Sequence, residues 1–579
     1  MARRQVGAAA LVLGVVAAQG ASAQSPSSTT IARWVEFAPG SSPAALAAGS
    51  WGDQPTSLTP TVLVRAVVTN AASCPAASLD HGTPLVLSQR FIGSQLTSTP
   101  GSAGATNGKA GYPQYFVSPT ATSPANFANG TPMATTSWGE CEAVVPPGHK
   151  VVTVDGVELK LPVANPKRIL IMADTGCRIN GNKSAAGANQ QNCASPAAFP
   201  WSYLASYEAT FKPDVILQVG DWFYRDTNCL TNGSETYPGC NTPSSPNYET
   251  WGDTFDSWNA DVFFPAKTLL AAAPWIMARG NHESCGRGAR GWYALLDPFP
   301  LANAGGTYAT SIECPLTTAY PAPGATTATY TGDFEPSYVV PVGGVNILVH
   351  DSSFANDSAV DKNMAANYDI DLSALLNAVS AASAKPAIFA THKPTFGLSY
   401  GTAPTGCATG AGGTADASGD WTEQSVFNGG TGYTASAFKN GVPASIGLFV
   451  SGHVHQFQYF NFGTAGNINA NFAPQLIVGT GGSLLDADCN TGIVPSGITD
   501  PAKFTQSNFP YVVEQSPSGT TTTTSNTFSH DEFGFAVLNA ITDGMGNTTG
   551  FNADIYKISS ARAGICRINL NPRSITCHL

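Results

Sequence analysis

Ile169-Leu-Ile-Met-Ala173, followed at once by Asp174-Thr175-Gly176, is the stretch from which the fold can be read. Five apolar residues in unbroken succession leave no polar face, so the segment reads as a strand buried on both sides, the mark of a sheet covered by helices or by a second sheet. The same event recurs four times: Val215-Ile-Leu-Gln-Val219 before Gly220-Asp221, Trp275-Ile-Met-Ala278 before Gly280-Asn281-His282, Ala387-Ile-Phe-Ala-Thr391 before His392, and Ile446-Gly-Leu-Phe-Val450 before Gly452-His453. Between these strands lie helix-like segments at Trp201–Phe211, Trp258–Ala273 and Leu372–Ala384. Strands alternating with helices indicate an α/β fold, in which ligands gather beyond the carboxyl ends of the strands. The polar residues stand at those ends.

Working outward, the texture changes at Pro166-Lys167-Arg168. Residues 24–163 read as a β-rich N-terminal domain, with strands at Thr61–Val68 and Leu85–Phe91 and a hairpin over Val151–Leu161 turning at Asp155-Gly156. Residues 164–500, which carry the polar strand ends, read as the domain that holds the functional site. Residues 501–579 read as its extension, with strands at Phe533–Leu538 and Ile555–Ile558; the threonine tract 520–524 reads as a surface loop. At the start, Arg3 and Arg4 precede the apolar run Gly7–Ala18 and the small-x-small site Ala21-Ser22-Ala23. That is the form of a signal peptide over residues 1–23, and the run is shorter than the roughly 20 residues a bilayer-crossing helix needs. A secreted or periplasmic location is the expectation, with no membrane association.

The 579 residues are 43% hydrophobic and 11% charged, with a formal net charge of -11 and no basic run, which argues against a nucleic-acid polymer as partner. The twelve cysteines are even in number and mostly widely spaced, so disulfides rather than a zinc knuckle are expected in an oxidising compartment. Proximity in the chain favours Cys177–Cys193, Cys229–Cys240 and Cys566–Cys577, Cys74–Cys141 joins the only two cysteines of the N-terminal region, other pairings remain open, and Cys285 reads as a further disulfide partner. Sequons stand at Asn129, Asn182, Asn232, Asn356 and Asn547.

Collected at the strand ends are Asp174, Asp221, Tyr224, Asn281, His282, His392, His453 and His455. Carboxylates, an amide and imidazoles make a mixed N/O shell suited to two divalent or trivalent ions, one carboxylate being able to bridge them. A single histidine beside an apolar strand is ordinarily a core residue; five ordered blocks, three of them entered through glycine, are not obtained by chance.

Asp174-Thr175-Gly176, Gly220-Asp221-Trp222-Phe223-Tyr224, Gly280-Asn281-His282-Glu283, Phe389-Ala390-Thr391-His392 and Gly452-His453-Val454-His455 resemble the five blocks of the calcineurin-like metallophosphoesterases. Gly176 and Tyr224 make the pattern most similar to that of the purple acid phosphatases. The resemblance covers residues about 167–485. It implies a four-layer α-β-β-α sandwich behind the β-rich N-terminal domain. It also implies a first metal on Asp174, Tyr224 and His455, a second on Asn281, His392 and His453, and Asp221 between them. His282 would face substrate as the catalytic acid. The cofactors implied are two metal ions per chain, Fe(III) with Fe(II), Zn or Mn.

Two cations neutralise a phosphate ester and supply a bound hydroxide for in-line attack. The expected function is therefore a secreted metal-dependent phosphoric ester hydrolase acting on a small-molecule phosphate ester, of acid-phosphatase type. A phosphodiesterase or nucleotidase is the alternative within the superfamily, and an inactive adhesion or carbohydrate-binding protein the alternative outside it. Arg178, Arg225, Arg287 and Lys393, with Arg279 nearby, are candidates to bind substrate phosphate. Lys393 stands where purple phosphatases often place a second substrate-facing histidine. The loops 177–200, 225–250, 286–335 and 393–440 are the candidates to select the leaving group, and Trp251, Trp292, Tyr293, Tyr320, Tyr400 and Trp421 in or beside them could stack on a base or sugar.

Overall fold

A computed structural model describes residues 30–39, 61–69, 73–92, 138–179, 191–225, 253, 255–284, 287–299, 323, 334–355, 360–382, 385–395, 398–399, 416–417, 420–428, 442–460, 473–486, 513–515, 521–523, 526–528, 532–559 and 562–578. The expected signal peptide, Cys229, Cys240, Cys285, Trp251, Tyr320, Tyr400 and the sequons other than Asn547 lie outside them.

Alternation along the central strands explains why both of their faces are apolar. Leu170 and Met172 enter one core together with Ile216, Trp275 and Met277, whereas Ile169 and Ile171 enter another with Val215, Leu217 and Ile276. The first core is covered by Trp201–Thr210, the helical turns between Phe255 and Leu270, and Ala289–Leu295. The second is shared with Val340, Ile347, Val349, Ile388 and Leu448 of the other large sheet. A third core packs that sheet beneath the helices Lys362–Ala382 and Trp421–Asn428. The layers are therefore helix, sheet, sheet, helix, a mixed α/β sandwich with a β-rich region ahead of it.

Arg168–Met172, Val215–Val219 and Trp275–Ala278 run parallel in an eleven-stranded sheet. Val345–His350, Ala387–Thr391, Ile446–Ser451 and Gln475–Val478 run parallel in a seven-stranded one. Parallel pairing brings the carboxyl ends of the block-bearing strands to the same edge of each sheet. Gly534–Thr542 pairs antiparallel with Arg168–Met172, and Thr548–Lys557, Arg562–Leu570 and Arg573–His578 extend the sheet from it.

The sequence boundary at 163/164 is not a boundary in the sheet. Thr30–Ala38 pairs parallel with Trp275–Ala278 at Glu36 and Trp275, and Thr61–Val68, Gly139–Val144 and Ser88–Ile92 follow it outward. Among the described residues of this region, only Ala77–Leu79, Thr83–Leu85, Val151–Val154 and Val157–Lys160 form a separate four-stranded sheet, with Asp155 and Gly156 turning the hairpin at positive φ. The junction is polar as well as apolar. Buried Arg65 and Arg90 bond the Asp297 carbonyl, Arg90 also that of Tyr293, and both pair with Glu142.

Three element expectations change. Trp258–Ala273 is a π-helical turn, Asn259–Phe263, between the short helices Phe255–Trp258 and Lys267–Leu270, because Pro265 has no N–H to continue the ladder. The helix expected from Leu372 begins at Lys362, where the Asp361 carboxylate accepts the N–H groups of Asn363 and Met364 as an N-cap. Within the threonine tract, Thr521–Thr523 is a short strand paired with Val513–Gln515. The bridges Cys74–Cys141, Cys177–Cys193 and Cys566–Cys577 are formed.

Candidate metal centre

Each strand end turns abruptly. Asp174, Asp221 and His453 have φ of 58°, 58° and 68°, a left-handed backbone that costs on the order of 1–3 kcal/mol for a residue with a side chain. Such cost persists where the surroundings over-determine the geometry, and here they do: Asp174 N–H donates to the Gly220 carbonyl, and Thr175 N–H to that of Asp221, closing the first two blocks on each other. Gly220 is obligatory between them. Its φ is 94°, and a Cβ there would lie 2.5 Å from His392 Nδ1.

The result is a tight cluster of donor atoms. Tyr224 Oη lies 2.6 Å from Asp174 Oδ1, 2.7 Å from Asp221 Oδ2 and 2.7 Å from His455 Nε2. On the other side of Asp221, His392 Nε2 lies 3.1 Å from the same Oδ2 and 3.0 Å from Asn281 Oδ1. His453 joins this second group, its ring centroid 5.2 Å from that of His392. Asp174, Asp221 and His455 form one candidate metal cluster, and Asp221, His392 and His453 the other. All but Asn281 and His453 are buried.

Proton counting tests whether these residues fit metal ions. His392 Nδ1 faces the Val219 carbonyl and His455 Nδ1 the Leu484 carbonyl. A carbonyl only accepts, so both Nδ1 atoms carry hydrogen, and in the neutral ring each Nε2 presents a lone pair. Those lone pairs point at carboxylate and amide oxygens, and one phenolic proton serves three acceptors around Tyr224. The site lacks positive charge, and cations in both clusters would supply it. The electrostatics of the buried groups point the same way. Burial would lower the His392 pKa, yet the Asp221 carboxylate, with Asp174 behind it, raises it to about 9. Burial would raise Asp221, yet His392, His282 and His453 hold it well below the ordinary value. Burial and the two carboxylates push Tyr224 well up. The donor set fits a dinuclear centre.

His282 stands apart from both clusters. Its N–H donates to Asp221 Oδ1 at 2.8 Å, but its Nε2 is 4.0 Å from Asp221 Oδ2, and its ring lies against that of Tyr224 with centroids 3.8 Å apart. Of the basic candidates, Arg178 is half-buried and electrostatically coupled to His455, and Arg287 is half-buried in the turn after the third block. The other three are buried in bonds within the fold: Arg225 Nε donates to Asp261 Oδ1 at 2.6 Å, Lys393 Nζ to the Ala355 carbonyl, and Arg279 to the Glu283 carbonyl and Tyr293 Oη. The partners of Arg225 and Lys393 come from distant parts of the chain, which proximity to a block in sequence does not show. Trp292 and Tyr293 are likewise buried, Trp292 donating to Glu335.

Two acids that sequence reasoning passed over organise the loops. Glu283 accepts the N–H groups of Asp221 and Gly280 on Oε2 and of Trp222 and Phe223 on Oε1. Asp261 accepts those of Cys177 and Tyr224. Glu283 carries a weak signal, as the fourth residue of its block; Asp261 carries none, being one polar residue in a helical pattern.

A family model described as calcineurin-like phosphoesterase matches residues 167–457. Among solved structures, that of PhoD is similar at 11% identity and a TM-score of 0.44, covering 95% of this chain and 92% of its own. A dimetal phosphatase from Danio rerio is similar at 8% identity and a TM-score of 0.30, covering 71% and 99%. No curated protein sequence matches.

Proposed function

We propose that this chain, which belongs to the calcineurin-like phosphoesterase family and is a metal-dependent phosphoesterase, is a secreted or periplasmic phosphomonoesterase of the purple acid phosphatase type. The observation that carries the reading is Asp221 Oδ2, shared by the two donor sets, with the Tyr224 hydroxyl 2.7 Å away on one side and His392 3.1 Å away on the other. Asp174, Tyr224 and His455 would hold the first ion and Asn281, His392 and His453 the second. A phenolate with two carboxylates suits Fe(III), and the imidazole-rich side suits Fe(II), Zn or Mn. When bound, the ions neutralise the phosphoryl oxygens and lower the pKa of water.

The remaining work falls to the chain. The Nδ1–H bonds to Val219 and Leu484 hold both imidazoles with Nε2 inward, and Glu283 fixes the Asp221 turn through three N–H groups and its own turn through that of Gly280, so no ligand loop needs to reorganise as charge develops. His282, anchored through its own N–H, carries its imidazole beside the cluster, where Nε2–H can pass its proton to the departing ester oxygen. Arg178, close enough to His455 to act on its charge, would meet the phosphate. The net charge of -11 without a basic run favours small soluble esters over nucleic-acid polymers. The terminal Arg3-Arg4 and Gly7–Ala18 pattern and three disulfides support export.

A diesterase or nucleotidase is the competing reading, and Lys393 favours it: the residue after His392 is buried against the Ala355 carbonyl and brings no substrate-facing imidazole. Parallel assays of aryl phosphate, bis-aryl phosphate, nucleoside monophosphates and cyclic nucleotides separate the two. Monoester turnover should lead; diester kcat/KM higher by about tenfold, roughly 1.4 kcal/mol of transition-state preference, overturns the assignment.

A further inference from the structure

We propose that Asp261 is a positioning residue that sets the first metal half-site by holding the loops of Asp174 and Tyr224 in one register. The inference rests on the dinuclear reading above. Asp261 lies in the π-helical turn Asn259–Phe263, where Phe264 N–H reaches back five residues to the Asn259 carbonyl. Such widened turns recur at functional sites. Its carboxylate is fully buried and receives three donors: Cys177 N–H at 3.2 Å and Arg225 Nε at 2.6 Å on Oδ1, and Tyr224 N–H at 3.1 Å on Oδ2.

Cys177 follows Asp174 by three residues, and Tyr224 follows Asp221 by three. One side chain therefore takes a backbone N–H from each of the two loops that carry Asp174 and Tyr224, just beyond the ligand in one and at the ligand in the other. Ile179 N–H continues the contact by donating to the Tyr224 carbonyl at 2.9 Å. Gly176 makes the approach possible: a Cβ there would lie 2.9 Å from Asp261 Oδ2, 2.9 Å from Tyr224 N and 2.7 Å from the Trp222 carbonyl oxygen. The glycine that distinguishes the first block thus leaves room for an acid 85 residues further on. Arg225 compensates the buried negative charge, so the Tyr224 backbone is held without adding net charge beside the centre.

Asp261→Asn tests this, because it keeps the shape while turning one acceptor into a donor that must face another donor. The measurement is uptake of Zn(II) by chelator-stripped protein, per chain and with affinity, for wild type, Asp261→Asn, Tyr224→Phe and the double variant, with circular dichroism as the folding check. Wild type should take up about two ions. Asp261→Asn should bind one of them at least tenfold more weakly, and the double variant should lose clearly less than the product of the two single losses, since part of the Asp261 effect acts through Tyr224. A wild-type affinity for both ions in Asp261→Asn, or losses that multiply in the double variant, overturns the inference while the dinuclear reading stands. Fewer than one ion in the wild type overturns both. If Asp261→Asn does not fold, Arg225→Lys decides: it withdraws the Nε–Oδ1 bond and should weaken the same ion severalfold, and unchanged affinity overturns the proposal.

Discussion

His282→Ala should separate catalysis from metal binding. The His282 side chain can be deleted without removing a donor from either cluster, because Nε2 stands 4.0 Å from Asp221 Oδ2, beyond hydrogen-bonding distance. The bond that matters to the bridging carboxylate comes from the main chain, N–H to Asp221 Oδ1 at 2.8 Å, and alanine keeps it. What is lost is a positioned acid resting against the Tyr224 ring. Such a group contributes about 10²–10⁴ in rate, or about 3–5 kcal/mol of barrier at 1.36 kcal/mol per decade. The loss should depend on the leaving group, full for an alkyl phosphate whose alkoxide needs the proton and much smaller for nitrophenyl phosphate, whose phenolate departs without it. Asn281→Ala is the contrast: its Oδ1 faces His392 Nε2 at 3.0 Å, so metal content should fall with activity. The assay is kcat on both esters together with metal content by mass spectrometry. Equal metal loss in the two variants, or the same rate loss on both esters, refutes the assignment of His282 as proton donor.

If iron occupies the first half-site, phenolate-to-metal charge transfer should give a violet absorption band that Tyr224→Phe abolishes; a colourless, iron-free and fully active enzyme removes the chain from the purple subgroup and leaves the family unchanged. Peptide mapping without reduction should recover Cys74–Cys141, Cys177–Cys193 and Cys566–Cys577, and more than two free thiols among the twelve cysteines would contradict export. Burial lowers His350 to about 3 from an ordinary 6.5, with Ser337 Oγ on Nδ1 and Asp371 and Glu423 within 4 Å. The unfolded chain therefore binds a proton between those values that the fold refuses, and stability falls as pH drops from 6.5 towards 3. His350→Asn should flatten that acid limb in melting temperatures taken from pH 7 to 4, and an unchanged slope refutes the burial argument.

The five strand-end blocks were legible because their information is local. A continuous apolar run declares a doubly buried strand, a glycine beside it declares a sharp turn, and the oxygen and imidazole donors that follow declare the chemistry. The near-neighbour disulfides Cys177–Cys193 and Cys566–Cys577 belong to the same class, since a short loop brings its own ends together. What one residue does for another far along the chain is of a different kind. Thr30–Ala38 aligns beside Trp275–Ala278 in a junction where Arg65 and Arg90 meet the carbonyls of Asp297 and Tyr293, more than 200 residues away. Arg225 looked like a phosphate ligand and is the partner of Asp261; Glu283 looked like the end of a motif and gathers three N–H groups of the Asp221 loop. By itself the sequence determined which atoms stand at the ends of which strands. Only the tertiary structure decided which buried carboxylate each loop leans on, because a charge in the core takes whatever donors packing brings within hydrogen-bonding distance, and no spacing along the chain encodes that meeting.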